Sequence, residues 1–239
     1  MDHRIHTEAD LDAALALLLA ADPRFVELMK ITGRPPLRRR PDGYAGLAAI
    51  ICAQQLSTAS ANAIWGRLAA AFDPFEPAAI AKARPTRLAR LGLSGAKIRA
   101  LKEIARAAAN GGIVFPALGE ISADDAHAAL TNLHGIGPWT ADIYLLACLG
   151  HADAWPAGDL ALQEAARLAF GLRARPNAKQ MIKLAERWRP WRGVAARLLW
   201  AYYRAVKGRE GAPTGANLPS PARARAKAKT NTRRGADGR

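Results

Sequence analysis

Two short stretches carry the residue types that chemistry needs. The first, Leu133-His134-Gly135-Ile136-Gly137-Pro138-Trp139-Thr140-Ala141-Asp142, sets two glycines and a proline ahead of an apolar helix. A glycine turn leading into a helix N-terminus presents unpaired backbone N–H groups at the positive end of the helix dipole. That is an anion site requiring no side chain and reading no base sequence. The same turn serves equally as a plain connector between helices, since glycine is an ordinary helix terminator. The second stretch, Trp155-Pro156-Ala157-Gly158-Asp159, places a carboxylate at the start of LALQEAARLAF, 22 residues after Gly137. Asp is a frequent N-cap, and the helix N–H groups it accepts suit its ionised form. Cap and reactive carboxylate are compatible roles for Asp159.

Other chemistries lack their residues. The two cysteines, Cys52 and Cys148, sit in apolar helical stretches and read as buried small hydrophobes. There is no CxxC pair and no Cys/His cluster, so zinc and iron–sulfur centres have no ligands and no metal site is assigned. His134 has no second histidine or carboxylate nearby in sequence and reads as a turn residue near phosphate. Asp142 and Asp153 read as solvated or capping carboxylates.

The elements that must position these groups are helical almost throughout. Thr7 with Asp10 resembles a capping box, Asp22-Pro23 an N-cap followed by proline, and Ser57, Ser94 and Ser122 cap further helices. RPPLRRRPDG (34–43), with three prolines and four arginines, is a loop. Helices are expected near 138–149, 160–170, 177–188 and 191–206. No sustained period-2 alternation appears, so the fold class is all-α. From position 208 onward the chain is small, polar and basic without apolar anchors, a composition expected of a disordered tail over 208–239.

Charge points to a polyanionic partner. The net charge is +15; the stretch from Lys207 to the end holds nine basic and two acidic residues, so +8 resides on the rest of the chain. No apolar run reaches the roughly 18 residues of a membrane span, and the start MDHRIHTEAD lacks the order of a signal peptide. A cytoplasmic protein with no membrane association is expected.

The pattern L-x-G-I-G-x-W-T-A, with Asp159 downstream, resembles the hairpin of the helix-hairpin-helix DNA glycosylases. Three further segments are similar to the 3-methyladenine DNA glycosylase II branch: ICAQQLS (51–57), the stretch through DAWPAGDLALQ (153–163), and AERWRPWRGVAARLLWAYY (185–203). The match covers most of residues 20–206. The resemblance implies that Asp159 is the catalytic carboxylate, stabilising the oxocarbenium character that builds on the sugar as an N-glycosidic bond breaks, or activating a water. Bifunctional members carry a nucleophilic lysine where this chain has Trp139, so it implies a monofunctional hydrolytic enzyme without lyase activity.

Further roles follow from the same resemblance. Trp139 and Trp200 match positions lining the base pocket, where an indole face attracts a cationic alkylated purine. Tyr144 stands beside Ile143, the position where the family often has an aromatic residue, and adjacent helical residues point about 100° apart. Gln54, Gln55 and Leu56 resemble the segment that fills the gap left by a flipped base, with Gln55 at the matching position and Leu56 as runner-up. His134, Gly135, Gly137 and Thr140 fall on the DNA-contacting hairpin; by charge alone, apart from the resemblance, Lys97, Lys102, Arg189 and Arg192 are candidates for phosphate contacts or for a solvated helix face. No cofactor is implied; backbone carbonyls of this hairpin bind a monovalent cation in some relatives, a structural role.

The implied architecture is a two-lobed helical array with a helix-hairpin-helix motif and no N-terminal β domain. Its body spans 1–207, with one lobe near 35–130, the other from 1–34 plus 131–207, and a cleft between them. The expected partner is double-stranded DNA with damaged bases, met by a monomer in the cytoplasm and on the nucleoid. The preferred lesion stays open among 3-methyladenine, 7-methylguanine, hypoxanthine and etheno adducts. A different class of function, a non-catalytic helix-hairpin-helix DNA-binding or architectural protein, places no demand on Asp159 beyond capping.

Overall fold

The computed structural model describes residues 3–208, and the basic segment beyond lies outside the described residues. Among the described residues twelve α-helices follow in chain order: α1 (Glu8–Ala21), α2 (Arg24–Thr32), α3 (Gly43–Ala53), α4 (Thr58–Ala71), α5 (Pro77–Lys82), α6 (Pro85–Arg90), α7 (Gly95–Ala109), α8 (Ala123–Thr131), α9 (Pro138–Tyr144), α10 (Leu160–Ala169), α11 (Ala178–Ala185) and α12 (Arg192–Lys207). Among the described residues the only extended pairing is an isolated bridge between Arg4 and His151. The fold is all-α.

Local chemistry sets the helix starts. Thr7 and Asp10 form a reciprocal capping box at α1. Ser57, Ser94 and Ser122 accept from the third residue of α4, α7 and α8. At α2 the outcome differs from a simple Asp-Pro start: the helix begins at Arg24, and Asp22 accepts from the Arg24 amide, its guanidinium and the indole of Trp188. The Arg24 guanidinium first, then Trp188 against the opposing cost of burial, holds the Asp22 carboxyl down at about 2.

The chain divides into two compact units. The first takes the chain up to Arg40, Leu118–Asn132 and the chain from Ile136; the second takes Pro41–Ala117 and Leu133–Gly135. Residues 118–130, which the sequence assigns to the middle lobe, thus group with the terminal helices.

In the first unit α12 packs against α1, α2 and α10. Trp188 is its fully buried centre, edge-on to Phe25 at 5.0 Å and to Trp155 at 5.5 Å. In the second unit α7 packs on α3, α5 and α6, and Tyr44 stacks on Phe75 at 5.7 Å while its hydroxyl donates to the Leu101 carbonyl. Both cysteines are buried.

The apolar run after the hairpin is not one regular helix. After Tyr144 it widens into a π turn, Leu145–Leu149, closed by Gly150 in the left-handed conformation. Widening frees carbonyls from the regular ladder. The buried guanidinium of Arg197 donates to Leu146 O at 3.1 Å, and the amide of Arg40 donates to Ala147 O. Arg197 also donates to the carbonyls of Leu37 and Arg38, tying the proline-arginine loop to the same place. Burial pulls this guanidinium down to about 9, so at neutral pH it is charged.

Candidate active site

Asp159 is the N-cap of α10, with extended backbone (φ −73, ψ 118), and its Oδ1 accepts from the Leu162 amide at 2.8 Å. Two indoles complete its surroundings. Trp139 Nε1 donates to Oδ2 at 2.8 Å, and Trp200 Nε1 donates to Oδ1 at 3.1 Å. A carboxylate only accepts, and here it faces three N–H donors, two of which project from helices α9 and α12. The residue is 6% exposed, with Gly158 and Leu160 on either side exposed. The approach to a buried, pre-oriented carboxylate is therefore bordered by a side-chain-free residue and an apolar one.

The loop before Asp159 is held by a residue that sequence reasoning passed over. Gln163, one turn into α10 and 7% exposed, donates from Nε2 to the Ala157 carbonyl at 2.9 Å. Its signal was a polar side chain on the apolar face of an amphipathic helix, where a buried amide demands a partner. Trp155 fastens the same loop from the other end by donating to Met181 O.

Beside Trp139 lies a cavity of about 820 Å³ within the first unit, whose wall includes His127, Asp142, Asp153, Gly158 and Arg192. Asp142 is not a solvated carboxylate, contrary to the reading from sequence. Burial pushes its carboxyl up to about 8, against the opposing field of Arg192, and its Oδ1 lies 3.7 Å from His127 Nε2. Asp153 is likewise committed, accepting from the guanidinium groups of Arg189 and Arg192.

Several expected roles change. Trp200 is 7% exposed and, unlike Trp139, is not on the cavity wall; what it offers the site is its N–H. Tyr144 is fully buried, as is Ile143, because five residues after Trp139 the helix has turned its side chain into the core. Thr140 is 2% exposed, so its side chain is no outward contact. Lys97 donates to the carbonyls of Cys52 and Gln54, and Lys102 to those of Ile80, Ala81 and Ala83. Arg189 and Arg192 are engaged by Asp153, so each of these four cations already has a partner within the protein.

The hairpin keeps its expected form. Gly135 has φ +81, and a Cβ there would meet the Ala100 Cβ at 2.6 Å. Gly137 is the N-cap of α9, with open space where its Cβ would be. His134 is exposed, its Nδ1 3.6 Å from Glu103 Oε2. In the second unit, Gln54 ends α3 with non-helical backbone (φ −53, ψ 131), Gln55 holds φ +55, and Gln55 and Leu56 are exposed.

The chain is similar to known proteins over most of its length. The family model of the HhH-GPD superfamily base excision DNA repair protein matches residues 48–190. Alkylbase DNA glycosidase-like protein mag2 of Schizosaccharomyces pombe is 30% identical, over 81% of this chain and 94% of that one. A probable bifunctional transcriptional activator/DNA repair enzyme AlkA of Mycobacterium tuberculosis is 34% identical over 80% of this chain, which spans only 40% of that protein's length. The structure of the S. pombe 3-methyladenine DNA glycosylase (Mag1) in complex with abasic DNA matches with a TM-score of 0.73 at 28% identity, covering 82% of this chain and 97% of that one.

Proposed function

The chain belongs to the HhH-GPD superfamily of base excision DNA repair proteins, and from that premise we propose that it is a monofunctional DNA glycosylase excising alkylated purines from duplex DNA. The observation that carries the reading is the Asp159 carboxylate, fixed by two indole N–H groups and the Leu162 amide at the mouth of α10. Hydrolysis of the N-glycosidic bond moves the bonding pair to the departing base and leaves cationic character on the sugar. A preorganised carboxylate stabilises that charge and orients the water that adds to it. Alkylation makes the base a good leaving group, so electrostatics at the sugar supply the chemistry.

The remaining assignments share this premise. The glycine turn through Gly135 and Gly137, with His134 at its exposed edge, positions the DNA backbone without reading bases. Gln55, with Leu56 beside it, is the side chain set to fill the vacated stack, and its left-handed backbone at an exposed turn supports that role. The hairpin 133–142 contains no lysine, which supports hydrolysis over amine attack at the sugar. Double-stranded DNA is the partner and a monomer the working form. The charge and the absence, among the described residues, of a helix long and apolar enough to cross a membrane fit work on DNA inside the cell.

Incubation with methylated DNA, followed by chromatography of released bases, tests the reading. The wild type releases N-methylated purines, and Asp159→Asn releases none while retaining DNA affinity. Unchanged release by Asp159→Asn overturns the assignment, and a protein–DNA adduct trapped by borohydride overturns the monofunctional mechanism.

A further inference from the structure

Lys97 stands where its own helix does not favour it. It lies in the first turn of α7, at the positive end of that helix's dipole, where a cation is disfavoured. The structure shows what offsets this cost. Half-buried, Lys97 reaches the C-terminal end of α3 and donates from Nζ to Cys52 O and to Gln54 O, each at 2.8 Å. A cation is favoured at that end, and charge-assisted bonds to carbonyls are among the stronger ones. Burial lowers the pKa of the ammonium, as expected for a group drawn out of solvent.

What these bonds hold is the turn 54–56. Gln54 exits the helix, Gln55 takes the left-handed conformation at φ +55, and the Leu56 amide closes back on Ala53 O. Ser57 then caps α4 by accepting from the Ser60 amide at 3.2 Å. The segment is pinned by Lys97 on one side and by Ser57 on the other. Between the two pins, a non-glycine residue is kept in a backbone region that L side chains rarely occupy, with its side chain exposed.

We propose that Lys97 is a positioning residue for base extrusion, holding the 54–56 turn in the conformation that presents Gln55 to the duplex. The inference rests on the glycosylase reading and on 54–56 as the inserting segment. An inserted side chain keeps a gap open efficiently when its backbone is ordered beforehand; otherwise ordering is deducted from the energy of insertion.

The test compares Lys97→Met and Lys97→Arg with the wild type on two substrates made from one methylated oligonucleotide. The first is a perfect duplex. In the second, the complementary strand leaves the purines in a mismatched bubble, where extrusion needs little unpairing. Lys97→Met is expected to lower kcat for base release from the perfect duplex about tenfold, with KM little changed and bubble release within about twofold. Lys97→Arg, which keeps charged donors, restores most of the duplex rate. Should the methionine variant not fold, Lys97→Gln, with one neutral donor, is expected to show the same preference for the bubble. Unchanged duplex release overturns the proposal. So does an equal loss on both substrates, which is what an ordinary helix cap predicts. A wild type that releases no base from either substrate fails the glycosylase reading itself, a result distinct from both.

Discussion

The indole N–H of Trp139 donates to Asp159 Oδ2 at 2.8 Å, joining the hairpin helix to the cap of α10. Trp200 occupies the other oxygen at 3.1 Å. The two rings therefore act on the carboxylate through their edges, and fix its direction from two separate helices. Replacing either by Phe keeps an aromatic body and deletes one donor. Leaving a buried acceptor short of one bond costs about 1–3 kcal/mol, or about 5- to 160-fold in kcat if the loss falls on the transition state. Trp139→Phe and Trp200→Phe are each expected to lose kcat in that range with intact folding, and the double variant to lose less than the product of the two. Single-turnover release from methylated DNA checks this. Wild-type rates in both single variants would restrict the indoles to packing.

Much of this site was legible because it depends on local signals. An Asp before an amphipathic run caps it, and two glycines before a proline turn into a helix, whatever surrounds them. What escaped were partners set by tertiary approach. Lys97 and Cys52 are 45 residues apart, and a lysine on a helix face looks solvated until another helix's carbonyls are placed against it. Asp142 read as a solvated or capping carboxylate for the same reason. The direction of an indole edge follows from rotamer and packing, so Trp139 and Trp200 were legible as site residues and not as donors to Asp159. Tyr144 was offered by adjacency to Ile143, and the helix turned both into the core.

Asp142 has a pH signature. Burial holds its carboxyl at about 8 in the folded chain, against an ordinary value of 3.8. Between about pH 4 and pH 8 the folded state therefore keeps a proton that the unfolded state has released, and stability falls as pH rises through that window. Asp142→Asn removes this contribution. Its melting temperature is expected to decline less than the wild type's between about pH 5 and pH 8, with the variant gaining most at the upper end. Thermal denaturation at a series of pH values checks it, and parallel curves would mean that Asp142 titrates as an ordinary carboxylate.

Arg197 makes a different demand. Its guanidinium serves the carbonyls of Leu37, Arg38 and Leu146 at once, one of them in the π turn that ends the hairpin helix. Arg197→Met strands those acceptors inside the core and is expected to cost about 3–5 kcal/mol. Arg197→Lys recovers little, because one ammonium cannot reproduce a planar fork spanning three carbonyls. Denaturant unfolding of both variants measures this, and a loss under about 1 kcal/mol for Arg197→Met would show that the π turn needs no such brace.

The two hairpin glycines separate folding from binding. Gly135 sits at φ +81, and a methyl group there would lie 2.6 Å from the Ala100 Cβ. Gly135→Ala thus meets a backbone cost of about 1–2 kcal/mol and an overpacking cost of about 1–3 kcal/mol, and is expected to lower stability by their sum. Gly137 has φ −89 and open space around the missing Cβ, so Gly137→Ala leaves the fold nearly undisturbed. If the turn grips a phosphate through bare backbone, that open space is where DNA approaches, and a methyl group raises Kd while the melting temperature stays put. Titration of the Gly137→Ala variant with duplex DNA, alongside its thermal melt, decides the point. Unchanged affinity would reduce the glycine turn to a connector between α8 and α9, and would move the backbone grip elsewhere on the protein.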